Sequence, residues 1–145
     1  MKYLKTKDVK SPARGTSKSA GIDFFVPNGH ATVIPPNGDV IIPSGIRAKV
    51  PVGFALIAFN KSGIATKKKL TVGACVVDED YQGEIHIHLF NMTDKLIIIN
   101  EGEKLIQFIL VPVIYDEPSE FFSEHDVFPK VSERGEGGFG STNKT

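Results

Sequence analysis

Pro35-Pro-Asn-Gly-Asp-Val-Ile-Ile-Pro-Ser-Gly-Ile-Arg-Ala-Lys-Val-Pro-Val-Gly53 sets two short apolar runs, Val40–Ile42 and Ile46–Val50, between three Pro- and Gly-containing breaks. Proline presets φ and glycine accepts positive φ, so each break reads as a tight connection and each run as a strand. The pattern extends in both directions. Upstream are Ile22–Val26, the break Pro27-Asn-Gly29 and Ala31–Ile34. Downstream follow Phe54–Phe59, Ala74–Val77, Ile85–Phe90, Leu96–Ile99 and Leu105–Ile114. Regular short strands with this punctuation predict an all-β fold, a sandwich, jelly roll or barrel. Only Ser62–Leu70 offers room for a helical turn, so at most one short helix is expected, and no repeat of solenoid period is present.

The opposite end of the chain tests that reading. Arg134-Gly-Glu-Gly-Gly-Phe-Gly-Ser-Thr142 matches G-x-G-x-x-G at Gly135, Gly137 and Gly140, the fingerprint of a dinucleotide-binding turn. Such a turn must open a helix inside a βαβ unit, and too little chain follows Gly140 to build one. What remains is an extended C-terminal arm with bare amides, the planar cation of Arg134 and the ring of Phe139. Bare amides cradle phosphate oxygens, a guanidinium grips them and a ring stacks on a base. These parts suit closure over a nucleotide. The sequence from Asp116 onward is acidic and carries Pro and Ser, with too little apolar surface to fold on itself. We therefore expect a core over 1–115 and an arm over 116–145, with Phe121, Phe122 and Phe128 available for docking.

Composition narrows the function. The chain has 145 residues, with 17 basic and 17 acidic side chains in balance. It is long enough for one real core, and it lacks the broad positive footprint expected for nucleic acid or a membrane surface. A single cysteine, Cys75, excludes an internal disulfide. Met1-Lys-Tyr-Leu-Lys-Thr-Lys7 lacks the apolar run of a signal peptide, and no stretch reaches membrane-spanning length. A cytoplasmic setting is expected, host cytoplasm if the source is a virus.

Five blocks, in order, carry a resemblance. They are Ser19-Ala-Gly-Ile-Asp-Phe-Phe25, Asn60-Lys-Ser-Gly-Ile-Ala65, Gly73-Ala-Cys-Val-Val-Asp-Glu-Asp-Tyr-Gln-Gly-Glu84, Gly102-Glu-Lys-Leu-Ile-Gln107 and the arm itself. In this order and spacing they resemble the five motifs of the trimeric dUTPase family, dUTP nucleotidohydrolases, across essentially the whole chain.

The resemblance implies a jelly-roll-like distorted β-barrel and a homotrimeric, Mg2+-dependent diphosphatase that converts dUTP to dUMP and pyrophosphate. Asp78 matches the family's catalytic aspartate, which activates the attacking water. Tyr81 is expected under the deoxyribose, where a 2′-hydroxyl would collide with it. Uracil is expected on the backbone of the 73–85 hairpin, including Cys75, Val76 and Val77. Lys61, Ser62, Gly63 and Gln107 match the phosphate-lining positions, and Asp23 the carboxylate that meets the metal through water. Arg134 with Gly138, Gly140 and Ser141 would clamp the outer phosphates, Phe139 would cover the base, and the arm would cross to a neighbouring subunit.

Three departures stand out: Lys61 for the usual Arg, Asn60 for Pro, which would loosen that turn, and Cys75 for Gly. Strand alternation through the hairpin points Asp80 the same way as Asp78 and makes Asp80 the expected brace of the turn. His86 and His88 share a strand face but lack a third metal ligand, so they read as structural. Lys67-Lys-Lys69 reads as a solvated face. Two rivals remain. A dCTP deaminase has the same fold but removes an amine, and a regulatory protein of this fold would bind a nucleotide without turning it over.

Overall fold

The computed structural model describes residues 1–138. Phe139, Gly140 and Ser141, three of the expected substrate-binding residues, lie outside the described residues. The chain divides into two units, Met1–Ile114 and Tyr115–Thr145.

The first unit is built from eleven short strands: β1 (Lys2–Lys5), β2 (Ile22–Phe24), β3 (Thr32–Ile34), β4 (Asp39–Pro43), β5 (Ile46–Lys49), β6 (Phe54–Asn60), β7 (Leu70–Val72), β8 (Val76–Val77), β9 (His86–Asn91), β10 (Ile97–Ile99) and β11 (Ile106–Pro112), with a single helix, α1 (Ser62–Lys67), between β6 and β7. All the pairings are antiparallel. They form four separate sheets, ordered β2-β11-β6-β8, β4-β9-β7, β10-β3 and β1-β5. The all-β expectation holds, and every apolar run named above carries a strand.

Period-2 alternation fixes which side chains face inward. In β9 the odd positions Ile87 and Leu89 are buried while His86 and Phe90 are exposed. Phe24 from β2 and Phe108 from β11 are fully buried, with ring centroids 4.5 Å apart. Burying such a ring stabilises the fold by roughly 1.5–3 kcal/mol. These two rings anchor the sheet that carries most of the candidate site.

The structure differs from expectation at several points. Strands β1 and β7 were not anticipated. Lys2–Lys5 is exposed throughout, so it shows no alternation. Leu70–Val72 follows Lys69, whose φ of 53° turns the chain out of α1 into β7. The helix thus stops at Lys67, short of the Ser62–Leu70 window. Lys68 is not simply solvated, because its ammonium forms a half-buried ion pair with Glu103.

The second unit holds one more helical turn, α2 (Glu124–Val127), against the single helix expected. Ser123 stands at its N-cap and two acidic residues occupy its first turn, which favours the positive end of the helix. No helix among the described residues is long and apolar enough to cross a membrane.

Candidate active site

The expected site residues of the first unit fall into two groups, brought together by different parts of the fold. The first lines a groove of about 220 Å³ walled by Ala74, Cys75, Val76, Val77, Asp78 and Tyr81, with Glu84, Ile85, His86 and Phe108 completing it. Strand β8 is the edge of its sheet, paired with β6 on one side only. Edge backbone groups have no strand partner on the other side and offer donors and acceptors to a ligand. Cys75 is half-buried, and its carbonyl accepts from the Ala58 amide at 2.8 Å, so it packs as a small side chain.

Asp78 follows β8 directly, with its side chain exposed to the groove. Its carbonyl accepts from the Tyr81 amide at 3.2 Å, closing a turn that sets acid and ring side by side. Tyr81 lies across Gly83, where a Cβ would come 2.3 Å from the tyrosine hydroxyl oxygen, so only glycine permits the approach.

The brace of this turn is Glu79, correcting the expectation for Asp80. Glu79 Oε2 accepts from the Gly53 amide at 2.6 Å, whereas Asp80 makes no side-chain bond among the described residues. Alternation failed because β8 ends at Val77 and the chain turns at once.

The second group sits where β2, β11 and the end of β6 meet. Asp23 pairs across the ladder with Gln107, and Gln107 with Phe59. The Asp23 side chain is only 7 % exposed, and both its oxygens are engaged, one by Lys61 and the other by Lys104 at 3.1 Å. Gln107 Nε2 donates to the Asn60 carbonyl at 2.9 Å. A Cβ at Gly21 would fall 2.0 Å from Gln107 Oε1, so the glycine makes room for this side chain. Ser62 and Gly63 open α1, which has no acidic residue in its first turn.

Asn60 does not loosen its turn. Its Oδ1 accepts from the Val72 amide at 2.8 Å and its Nδ2 donates to Thr71 Oγ1 at 3.2 Å, so it fastens β6 to β7 where a proline could not.

Among the described residues no group of three His, Cys, Asp or Glu could hold a metal ion. A lone carboxylate between two ammonium groups is not a metal cage. His86 and His88 both make hydrogen bonds within the fold. His88 accepts from the Ala74 amide at 2.8 Å and meets Asp39 at 3.1 Å, while His86 Nδ1 lies 3.0 Å from the Glu84 carbonyl.

The groove runs along β6, so its Cys75 end, bonded to Ala58, adjoins the second group, while Asp78 at its other end is well separated from Lys61 within one chain. Val77 pairs with Leu56, which places Asp78 near Ala55, whereas the Lys61 group begins beyond Asn60. Five residues of strand separate Ala55 from Asn60, roughly 16 Å at about 3.3 Å per residue. That gap is longer than a triphosphate chain.

In the second unit, Arg134 Nε donates to the Gly137 carbonyl at 2.9 Å, and the Gly137 amide returns a bond to the Arg134 carbonyl at 3.1 Å. Gly135 has φ of 52°, and Gly138 ends the described chain. One of the five guanidinium N–H groups is used by this turn.

Motif matching did not single out Glu84, Ile85, His86 or Phe108 in the groove, nor the role of Lys104. Of these, Glu84 and Lys104 had a visible signal, as residues within the Gly73–Glu84 and Gly102–Gln107 blocks.

A family model described as dUTPase matches residues 7–143. A deoxyuridine 5'-triphosphate nucleotidohydrolase of Kluyveromyces lactis is 39% identical over 97% of this chain and 91% of its own length. Among solved structures, the Staphylococcus bacteriophage 80alpha dUTPase with dUPNHPP has a TM-score of 0.84 at 24% identity, covering 97% of this chain and 96% of that one. A dUTPase from phage phi11 of S. aureus, described for its coordination of a structural Mg(II) ion, has a TM-score of 0.76 at 20% identity, covering 86% and 97%.

Proposed function

The chain belongs to the dUTPase family, and on that premise we propose that it is a dUTP diphosphatase releasing dUMP and pyrophosphate. The observation that carries this reading is the groove in which an exposed acid, Asp78, and a glycine-backed ring, Tyr81, share one turn beside an open strand edge. Uracil presents a fixed pattern of two carbonyl acceptors and one N–H. The edge of β8 and the adjoining 73–85 backbone, through Cys75, Val76 and Val77, would pair with that pattern. Cytosine puts a donor where uracil has an acceptor and would leave buried groups unpaired, a costly mismatch.

In the proposed reaction Asp78 orients a water molecule and accepts its proton. The water oxygen bonds to the α-phosphorus as the bond from that phosphorus to the bridging oxygen of the β-phosphate breaks, and pyrophosphate leaves. Tyr81 packs under the deoxyribose and blocks the space of a 2′-hydroxyl. Lys61, Ser62, Gly63 and Gln107 bind the phosphates. Lys61 contributes a point charge rather than the two-pronged grip of an arginine. Asp23 would be the residue to meet a hydrated Mg2+, and the ion would supply neutralisation of phosphate charge.

The roughly 16 Å of strand between the levels of Asp78 and Lys61 supports an assembly in which one chain supplies Asp78 and Tyr81 while another supplies Lys61 and Gln107. We read this as the homotrimer that the family resemblance implies. The arm, 116–145, would reach a neighbouring subunit, with Arg134 and 138–141 on the outer phosphates and Phe139 over the base, excluding water. The activity would keep uracil out of DNA and supply dUMP for thymidylate synthesis.

The test is product analysis with dUTP and dCTP offered separately. Pyrophosphate from dUTP alone supports the reading, ammonia from dCTP would establish a deaminase, and tight binding without turnover would establish a regulatory binder.

A further inference from the structure

Glu84 joins the nucleoside groove to the N-terminal part of the chain through both of its ends. Its carbonyl oxygen accepts from Tyr81 Oη at 2.9 Å and from His86 Nδ1 at 3.0 Å, so Nδ1 carries the hydrogen. Both lone-pair directions of that oxygen are therefore engaged. Its carboxylate accepts from Lys7 Nζ at 2.9 and 3.0 Å, from Thr6 Oγ1 at 3.1 Å and from the Gly45 amide at 2.7 Å. The residue is clamped at each end, and its peptide cannot rotate without breaking bonds on one side or the other.

This matters because Tyr81 is 44% exposed, so packing in the core does not immobilise its ring. The ring is located instead by its contact with Gly83 and by the hydroxyl bond to the Glu84 carbonyl. A steric screen discriminates only as well as it resists displacement, since a ring free to swing relaxes the clash it is meant to impose. The preceding peptide is held as well, because Arg47 Nε donates to the Gln82 carbonyl at 2.6 Å.

We propose that Glu84 is a positioning residue for sugar selection, fixing the Tyr81 ring through its own clamped carbonyl so that a 2′-hydroxyl cannot be accommodated. This rests on the dUTP reading above. Loss of the carboxylate frees the peptide, the ring gains room to move, and UTP gains relative to dUTP.

The experiment measures kcat/KM for dUTP and for UTP on the same preparation of full-length protein. Their ratio is independent of how much of the sample is folded, so a purely structural defect leaves it unchanged. Glu84→Ala is expected to lower the dUTP-to-UTP ratio on the order of tenfold, the scale of one well-made hydrogen bond. Glu84→Gln, which keeps an acceptor for Thr6 and Gly45, should restore most of it. Tyr81→Phe should lower the ratio similarly, and the double variant Tyr81→Phe/Glu84→Ala should fall no further, because both act through one contact.

If Glu84→Ala does not fold, Lys7→Met replaces it in the same cycle. An unchanged ratio, or fully additive losses in the double variant, overturns the proposal. Failure of the unaltered protein to turn over dUTP is a separate result: it refutes the function itself, and the positioning role falls with it.

Discussion

Asp23 is held from two sides by cations from separate connections of the chain, Lys104 at 3.1 Å from its Oδ2 and Lys61 against its Oδ1. With the carboxylate in place the cluster has one excess positive charge. Without it, two ammonium groups would face each other over a largely buried site. The carboxylate thus holds the two cations together beside β2 and β11, where the proposed function would bring a triphosphate.

Replacing Asp23 with Ala should destabilise the fold by about 1–3 kcal/mol. Breaking a buried pair costs roughly 3–5 kcal/mol, but Lys61 and Lys104 are partly solvated and recover some of it. Urea denaturation of the variant against the parent measures this, with a shift in midpoint and little change in slope.

Gly21→Ala is expected to impair turnover through Gln107, because the new methyl would occupy the position of its amide oxygen. Loss of a single phosphate donor of this kind should raise KM for dUTP by roughly tenfold. An additional Gln107→Ala substitution should cause little further loss, which steady-state kinetics on the double variant checks.

For Asp78→Asn we expect kcat to fall by roughly 10²–10⁴-fold, the range ascribed to a positioned general base. Affinity for a non-hydrolysable dUTP analogue, measured by calorimetry, should change little. A variant that binds the analogue and keeps full turnover contradicts the role given to Asp78.

Acid should loosen the fold through two carboxyls. Burial raises Glu84, but bonds from Lys7, Gly45 and Thr6 outweigh it and hold the group below its ordinary value of 4.5. Burial likewise raises Glu103, and Lys68 with the side chain and amide of Asn100 outweighs it. Each folded-state pKa is therefore depressed, and the folded state binds fewer protons than the unfolded chain. Their stabilisation is fully present above about 4.5 and is lost as pH falls through the folded values. Thermal melts from pH 7 to pH 3 should show this decline, and Glu84→Gln and Glu103→Gln together should flatten it.

Much of the fold could be read from the chain because its turns are written in Pro and Gly and its inner faces in alternating Ile, Leu and Val. The elements that escaped lack those signs. Strand β1 is exposed on both faces, and β7 begins after a lysine, not a glycine, takes positive φ. Candidate site residues could be named from the order Asp78, Tyr81, Gly83, and the fold brings Asp78 and Tyr81 into one turn. Asp80 was misjudged because alternation was carried past the end of β8, and Asn60 because a side chain bonding to β7 cannot be inferred before the pairing of sheets is known. The clamp on Glu84 depends on contacts more than 70 residues away in sequence, beyond the reach of any local pattern.

On the proposed function, a working site needs the Asp78 groove of one chain and the Lys61 group of another. Asp78→Asn and Lys61→Ala chains with different tags should be refolded together and assemblies carrying both tags isolated. These mixed assemblies should recover a substantial fraction of dUTP turnover, although each parent alone has almost none. Mixed assemblies no more active than the two parents would contradict the shared site.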